Sequence, residues 1–375
     1  MPETLDSRDT AHRVRAMSHP ARRDALRALL PAAGLDALLV TDLIDVRHLT
    51  GFTGSNAAAV IAADRGDDLL CTDGRYRVQA AEQCPDLEVL VDRPSAPAAA
   101  ARVPAGLTLG YDSATLTVDG LAAVRDAVPG RRLRRAPGLA GRLRAVKDAG
   151  EVERIAAACA LADTALRALL DDGGLRPGRT EADVALDLDD RMRRLGADGP
   201  AFDTILAAGP HSAVPHHRPT GTELRRGDLV KIDFGAALDG YHSDTTRTFC
   251  LGPAVDWQRE LHALVDAAAA AGRAALVPGA SVTAVDAAAR DVITAAGHGE
   301  RFPHGLGHGV GLAVHEPPWL GTTATGRIDA GNVVTVEPGV YLDGRGGVRI
   351  EDTLHVVAGG PAVPLTGLPR ELIEI

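Results

Sequence analysis

From residue 148 to residue 357 one order of elements occurs twice: a helix, a Pro-Gly break, a second helix, then a hairpin with one acid on each strand. The first copy starts at Asp148, which can cap the run EVERIAAACALADTALRALL, breaks at Pro177-Gly178 and restarts at Thr180. Asp183, three residues after Thr180, completes a capping-box pattern. Strands over 228–234 and 241–251 follow, joined by a turn at Asp239-Gly240. The second copy places helices over 257–276 and 281–296 around Pro278-Gly279, and its strands over 332–342 and 348–357 turn at 343–347. Proline lacks the N–H that a helix needs and clashes with the preceding turn, so each Pro-Gly ends its helix. The duplication predicts two packed halves related by a pseudo-twofold, with a site shared between them.

The acids are Asp233 and Asp244 in the first hairpin, Glu337 and Glu351 in the second. Residues directly opposed on antiparallel strands lie about 5 Å apart at Cβ, so each pair is expected to face itself across its hairpin. Four carboxylates around one cavity repel one another unless cations compensate them. Two divalent ions balance the four charges. A neutral nitrogen comes from the stretch HGLGHGVGLAVH, where glycines between His304, His308 and His315 let backbone approach closely. His308 is the expected fifth ligand. Oxygen-rich ligation with one imidazole suits Mn²⁺ first, and Co²⁺, Zn²⁺ or Fe²⁺ also fit. Two ions about 3.5–4 Å apart can hold a hydroxide nucleophile and polarise a carbonyl, so the reaction class is hydrolysis. Taken singly, Asp233 is a strand-end acid and Glu351 a partner for Arg349. Five such residues in order, at hairpin spacing, specify a metal site.

The first third reads differently. A helix is expected from Ala21, broken at Pro31 and closed by Gly34. Strands over 35–41, 57–62, 68–72, 87–91 and 107–111 alternate with helices over 74–84 and 118–128, which implies an α/β layer of about 140 residues. The loop LTGFTGSNA at 49–57 reads as a strand-to-strand turn around Phe52. The basic stretch 129–148 reads as a solvated face or linker, and the domain boundary is placed there, giving domains at 1–140 and 147–375. Residues 1 to about 18 carry charge without a hydrophobic core and read as a loosely ordered leader, not a secretory signal.

Bulk properties exclude other classes. A net charge of −10 with 3% aromatics argues against nucleic acid, whose binders need a basic stripe and stacking rings. Cys71, Cys84, Cys159 and Cys250 have neither metal-ligand spacing nor the density of a disulfide framework, so they read as reduced, buried thiols. Apolar runs are short and interrupted by charge, so no membrane span is expected. A cytoplasmic globular protein of two domains is the expectation.

The residues KID233FG, HSD244TTRT, HGLGH308GVGLAVH315E, TVE337PG and VRIE351D resemble the motifs of the pita-bread metallopeptidases, the family of Xaa-Pro aminopeptidases, prolidases and methionine aminopeptidases. The N-terminal segments LTGFTGSNA and CTDGRYRVQA resemble the smaller domain that precedes the catalytic one in the Xaa-Pro group. The resemblance implies an α/β N-terminal domain and an α+β pita-bread (creatinase/aminopeptidase-like) catalytic domain. It implies that Asp233 chelates one metal, Asp244 and Glu351 bridge both, and His308 and Glu337 complete the second. Glu337 would shuttle a proton. His216 and His315 would contact the substrate or its oxyanion, and Arg349 would orient the acids. His217 and His304 receive solvent-facing or structural readings. Proline-containing peptides are the implied substrates, and a homodimer or higher homo-oligomer the implied assembly. The creatinase-like relatives lack the metal ligands that this chain has, and an inactive binding protein of this fold is the remaining alternative. A dipeptidase needs a cation for the substrate's free carboxylate, and prolidase-like relatives often carry an arginine soon after the histidine matching His315. Residues 316–326, EPPWLGTTATG, contain no Lys or Arg. That favours an Xaa-Pro aminopeptidase over an Xaa-Pro dipeptidase. The loop at 49–57 is expected to help roof the active site, of its own chain or of a neighbouring subunit.

Overall fold

The computed structural model describes residues 17–375, so the expected leader lies almost wholly outside the described residues. The first helix, His19–Ala33, is capped by the Ser18 hydroxyl and closed by Gly34 at φ 65. It passes through Pro31 instead of breaking there. Pro31 sits in the last turn, where the Gly34 and Leu35 N–H groups fold back to the Pro31 and Leu30 carbonyls and close the helix.

Six strands follow in the spatial order Glu88–Val91, Leu69–Thr72, Ala57–Ala62, Ala37–Val40, Thr108–Tyr111, Arg132–Arg135. Successive side chains alternate between the two faces. Leu38, Val40, Ala59 and Ile61 pack with Leu26, Leu30 and Leu49 of the helices His19–Ala33 and Leu43–Thr50. Leu39, Ala58, Val60 and Cys71 pack with Ala99 and Val124 from Ser95–Arg102 and Val118–Ala127. Leu43–Thr50 and Ser95–Arg102 were not expected; each is only about two turns long, too short for a clear helical period. Phe52 follows the first of them and is 1% exposed, its ring edge-on to Tyr76 at 5.7 Å. It is a core residue of this layer and does not line the cavity of its own chain described below. Arg132–Arg135 pairs in parallel with Thr108–Tyr111 as the sheet's edge. The basic stretch therefore begins as a charged edge strand, a device that discourages further strand addition.

The duplicated order is present as two antiparallel layers. Helices Ala149–Asp171 and Glu181–Arg194 cover strands Ile205–Ala208, Leu229–Phe234 and Thr245–Cys250. Helices Asp256–Ala275 and Val282–Ala295 cover Glu316–Leu320, Gly307–Gly309, Val333–Val336, Asp352–His355 and Val363–Pro364. Asp148 and Glu151 form a full capping box. At Thr180 only the hydroxyl-to-Asp183 N–H half is made. Each half has its own core, with Leu166, Leu188, Ile232 and Phe249 in one and Val265, Ile293, Val334 and Leu354 in the other. Each such side chain contributes about 1.5–3 kcal/mol when fully buried. This is the pita-bread arrangement behind an α/β N-terminal domain.

Register corrects one expectation. Thr246, not Asp244, stands opposite Asp233, so the two acids are diagonal neighbours. The chain leaves the ladder at Gly235, where a Cβ would collide with the Ser243 carbonyl. It then forms the small hairpin Ala236–Leu238 with Tyr241–His242. Glu337 and Glu351 likewise fall between ladders: Val336 pairs with Asp352, and Gly339 with Arg349. Asp244, Glu337 and Glu351 thus sit where strand pairing is interrupted. All four cysteines are buried and free. Among the described residues no helix is long and apolar enough to cross a membrane.

Candidate metal centre

A cavity of about 900 Å³ opens between the two halves, and Asp233, Asp244, His308, Glu337 and Glu351 all line it. His308 reaches it from a strand squeezed between two others. A Cβ on Gly307 would strike the Thr335 carbonyl, and one on Gly309 the Glu316 and Pro317 carbonyls. The glycines flanking His308 therefore serve close approach, and neither has a positive φ.

Oxygens of Asp233, Asp244 and Glu351 can lie within 4.8 Å of one another, and so can donor atoms of His308, Glu337 and Glu351. His308 Nε2 stands 3.4 Å from Glu337 Oε1 and 3.6 Å from Asp244 Oδ2, too far for good hydrogen bonds. Its Nδ1 lies 3.1 Å from the Gly309 carbonyl, which fixes the proton there and leaves the Nε2 lone pair toward the acids. Burial draws His308 down to about 4, so the ring is neutral.

The acids are charged groups with too few donors. Burial, followed by repulsion from Glu351, Asp233 and Glu337, raises Asp244 well above the carboxylate range. Burial, then Glu337 and Asp233, does the same to Glu351. Burial pushes Glu337 up to about 8, with Asp233 adding to it against the pull of Arg349. Asp233 Oδ1 and Glu351 Oε1 are buried without any hydrogen-bond partner. Buried polar atoms are rarely left so. Crowded carboxylates, orphaned oxygens and a neutral imidazole lone pair fit divalent cations.

Behind the acids lies a network. Arg349, 1% exposed, donates from Nη2 to Asp233, from Nε to Thr246 Oγ1 at 3.1 Å, and from Nη1 to the Tyr341 hydroxyl at 2.8 Å. Tyr341 Oη also lies 2.9 Å from His304 Nε2. Lys231 is fully buried and donates to the Val214 and Pro215 carbonyls at 2.6 and 3.1 Å. Pro215 O accepts from Arg349 as well, so two buried donor side chains hold the backbone just before His216. Glu181 holds the other side of that segment. Its oxygens accept from His217 Nε2 at 2.9 Å, His211 Nδ1 at 2.9 Å and both Thr220 N and Oγ1. Donor atoms of Glu181, His211 and His217 converge as a metal site would, but Glu181's lone pairs are taken by these donors, so the group is an anchor.

His216 and His315 are exposed and line the cavity, and the His315 ring centre is 4.4 Å from that of His308. His304 and His217 line it too, each held by a hydrogen bond, to Tyr341 and to Glu181. Trp319 joins the wall, half-exposed, its ring 6.3 Å from His308. Lys231 and Tyr341 were missed outright. A signal for Lys231 existed, since residues two apart on a strand share a face and Asp233 is two further on.

The model of metallopeptidase family M24 matches residues 153–358, and that of the creatinase/prolidase N-terminal domain matches 22–146. The chain belongs to metallopeptidase family M24. An uncharacterized peptidase of Bacillus subtilis, YqhT, is 36% identical over 353 residues, covering 93% of this chain and 99% of that one. A Xaa-Pro dipeptidase of Pyrococcus furiosus is 41% identical over 231 residues, 62% of this chain and 66% of that protein. Among solved structures, a Xaa-Pro dipeptidase from Bacillus anthracis superposes with a TM-score of 0.89 at 34% identity, covering 96% of this chain and 100% of that one. An X-Pro aminopeptidase from Thermotoga maritima gives 0.83 at 32% identity, covering 92% and 99%. This M24 chain is thus a metallopeptidase with the pita-bread fold.

Proposed function

We propose that this metallopeptidase is an Xaa-Pro dipeptidase, using two divalent cations held by Asp233, Asp244, His308, Glu337 and Glu351. The observation that carries the metal reading is the pair of orphaned buried oxygens, Asp233 Oδ1 and Glu351 Oε1, in a wall of four carboxylates. When bound, such ions neutralise the acids, activate a water and polarise the scissile carbonyl. Mn²⁺ suits this donor set first. The protein's own groups do the rest. Asp244 and Glu351, central to the acid set, would hold the ions together with Asp233, which Arg349 locks in place. Glu337 takes a proton from the attacking water and returns it to the leaving nitrogen, a role its raised affinity for protons suits. His216 and His315 face the cavity and can donate to the oxyanion as it forms.

Two observations support dipeptide over longer peptide. The relatives named for their substrate include Xaa-Pro dipeptidases at 41% and 34% identity. The aminopeptidase reading rested on residues 316–326 holding no base, and Arg218 and Arg290 line the cavity from distant segments instead. Similarity to the Thermotoga maritima X-Pro aminopeptidase keeps the second reading in the test. With Mn²⁺ supplied, kcat/KM for Ala-Pro should exceed that for Ala-Pro-Ala. A clear preference for the tripeptide would return the assignment to the aminopeptidase.

A further inference from the structure

A dipeptide bound for cleavage brings its C-terminal carboxylate into the cavity, and a desolvated carboxylate needs a cation or several donors. The cavity wall holds two arginines and no lysine. Arg290 is already engaged. Its Nε and Nη2 donate to the Asp286 carboxylate at 2.8 and 2.9 Å, and Nη1 and Nη2 to the Phe302 and His304 carbonyls at 2.8 and 2.7 Å. Its guanidinium also lies 4.1 Å from the Phe302 ring centre. The fork of Arg290 thus braces the wall. Arg349 is fully buried behind the acids and committed to Asp233, Thr246 and Tyr341.

Arg218 differs from both. It is exposed and lines the cavity, and among the described residues it has no hydrogen-bond or ion-pair partner. The one other charged wall residue outside the acid set, Asp203, makes no ion pair with it. Yet the backbone around Arg218 is fixed. Lys231 and Arg349 hold Pro215 on one side, Glu181 holds His217 and Thr220, and Pro219 fixes its own φ and restricts Arg218 before it. A free side chain on a pinned backbone, two residues from His216, leaves its guanidinium fork available to the cavity, with only its own rotamers to order on binding.

We propose that Arg218 is a specificity-determining residue that receives the C-terminal carboxylate of an Xaa-Pro dipeptide through paired guanidinium N–H groups. This rests on the dipeptidase reading above. It explains how the site can read a free carboxylate although residues 316–326 hold no base.

The test compares Ala-Pro with Ala-Pro amide on the Mn²⁺-loaded full chain and on Arg218→Gln and Arg218→Lys. Wild type should prefer the acid. Arg218→Gln should lose about 10- to 100-fold in kcat/KM on Ala-Pro, mainly through KM, and leave the amide nearly unchanged. Arg218→Lys, which keeps charge without the fork, should fall between. Unchanged preference in Arg218→Gln overturns the proposal while the dipeptidase reading stands. A second arm titrates Ala-Pro into chelator-treated full chain by calorimetry. If wild type hydrolyses no Xaa-Pro peptide, the dipeptidase reading fails. Weaker Ala-Pro binding by Arg218→Gln would then still support the anchor, and equal binding would overturn it.

Discussion

Lys147 Nζ donates to Glu316 Oε1 at 2.6 Å, with both side chains almost fully buried and Glu316 next in sequence to His315. Glu316 Oε2 accepts from Arg144 Nη1 at 2.6 Å, and Arg144 Nε reaches Asp45 Oδ1 at 2.7 Å. Asp45 belongs to the helix Leu43–Thr50 of the N-terminal domain. One buried carboxylate therefore ties that domain and the segment after it to the strand that presents His315.

Truncating that carboxylate should be severe. Glu316→Ala leaves Lys147 buried without its partner and Arg144 with Asp45 alone, which costs on the order of 3–5 kcal/mol. The expected result is a lowered Tm together with reduced kcat. An unchanged Tm would show that the network carries no stability.

Asp244→Asn should abolish hydrolysis and weaken metal uptake. The residue lies 4% exposed among Asp233, Glu337 and Glu351, and the amide removes both a charge and a ligand oxygen. Metal analysis beside an Ala-Pro assay decides it. A variant with near-normal turnover and two ions per chain would remove Asp244 from the centre.

His216→Ala and His315→Ala should keep both ions yet lose about 10²–10³-fold in kcat, the usual cost of a lost oxyanion donor. Both side chains reach the cavity while the acids hold the central positions. Loss of metal in His315→Ala would make it a ligand instead, an outcome its place near Asp244 and His308 makes worth measuring.

Acid should loosen the domain contact through Glu151. Burial alone would push this carboxyl up, but His48 by hydrogen bond and charge, then Arg22 and the Asp148 N–H, more than offset it and bring it from 4.5 to about 2. A depressed folded-state value stabilises fully above the unfolded value and loses that stability as pH falls through the folded one. The contribution, about 3 kcal/mol, should fade between pH 4.5 and about 2. Unfolding of wild type and Glu151→Gln at several pH values isolates it, because their difference should shrink as pH falls. A constant difference would contradict the assignment.

The doubled order, the helix starts at Asp148, Thr180 and Ser281, and the five side chains Asp233, Asp244, His308, Glu337 and Glu351 that line one cavity were all legible in the linear sequence. These are local signals: apolar periodicity, a hydroxyl or carboxylate before a helix, a proline that ends one, glycines flanking a histidine. Tertiary structure alone decided the rest. Arg349 meets Asp233 across 116 residues and Glu316 meets Lys147 across 169, and no spacing encodes such pairs. The diagonal placement of Asp233 and Asp244, by contrast, lay within reach of hairpin arithmetic, since Leu238 pairs with Tyr241 across Asp239-Gly240 and the same register sets Asp233 against Thr246. Phe52 reads as a loop aromatic until the sheet beneath it is known, and packing then claims it for the core. The same holds for Arg218, which has no partner among the described residues. It became visible only once the fold had carried its segment to the cavity wall and engaged Arg290 and Arg349 elsewhere.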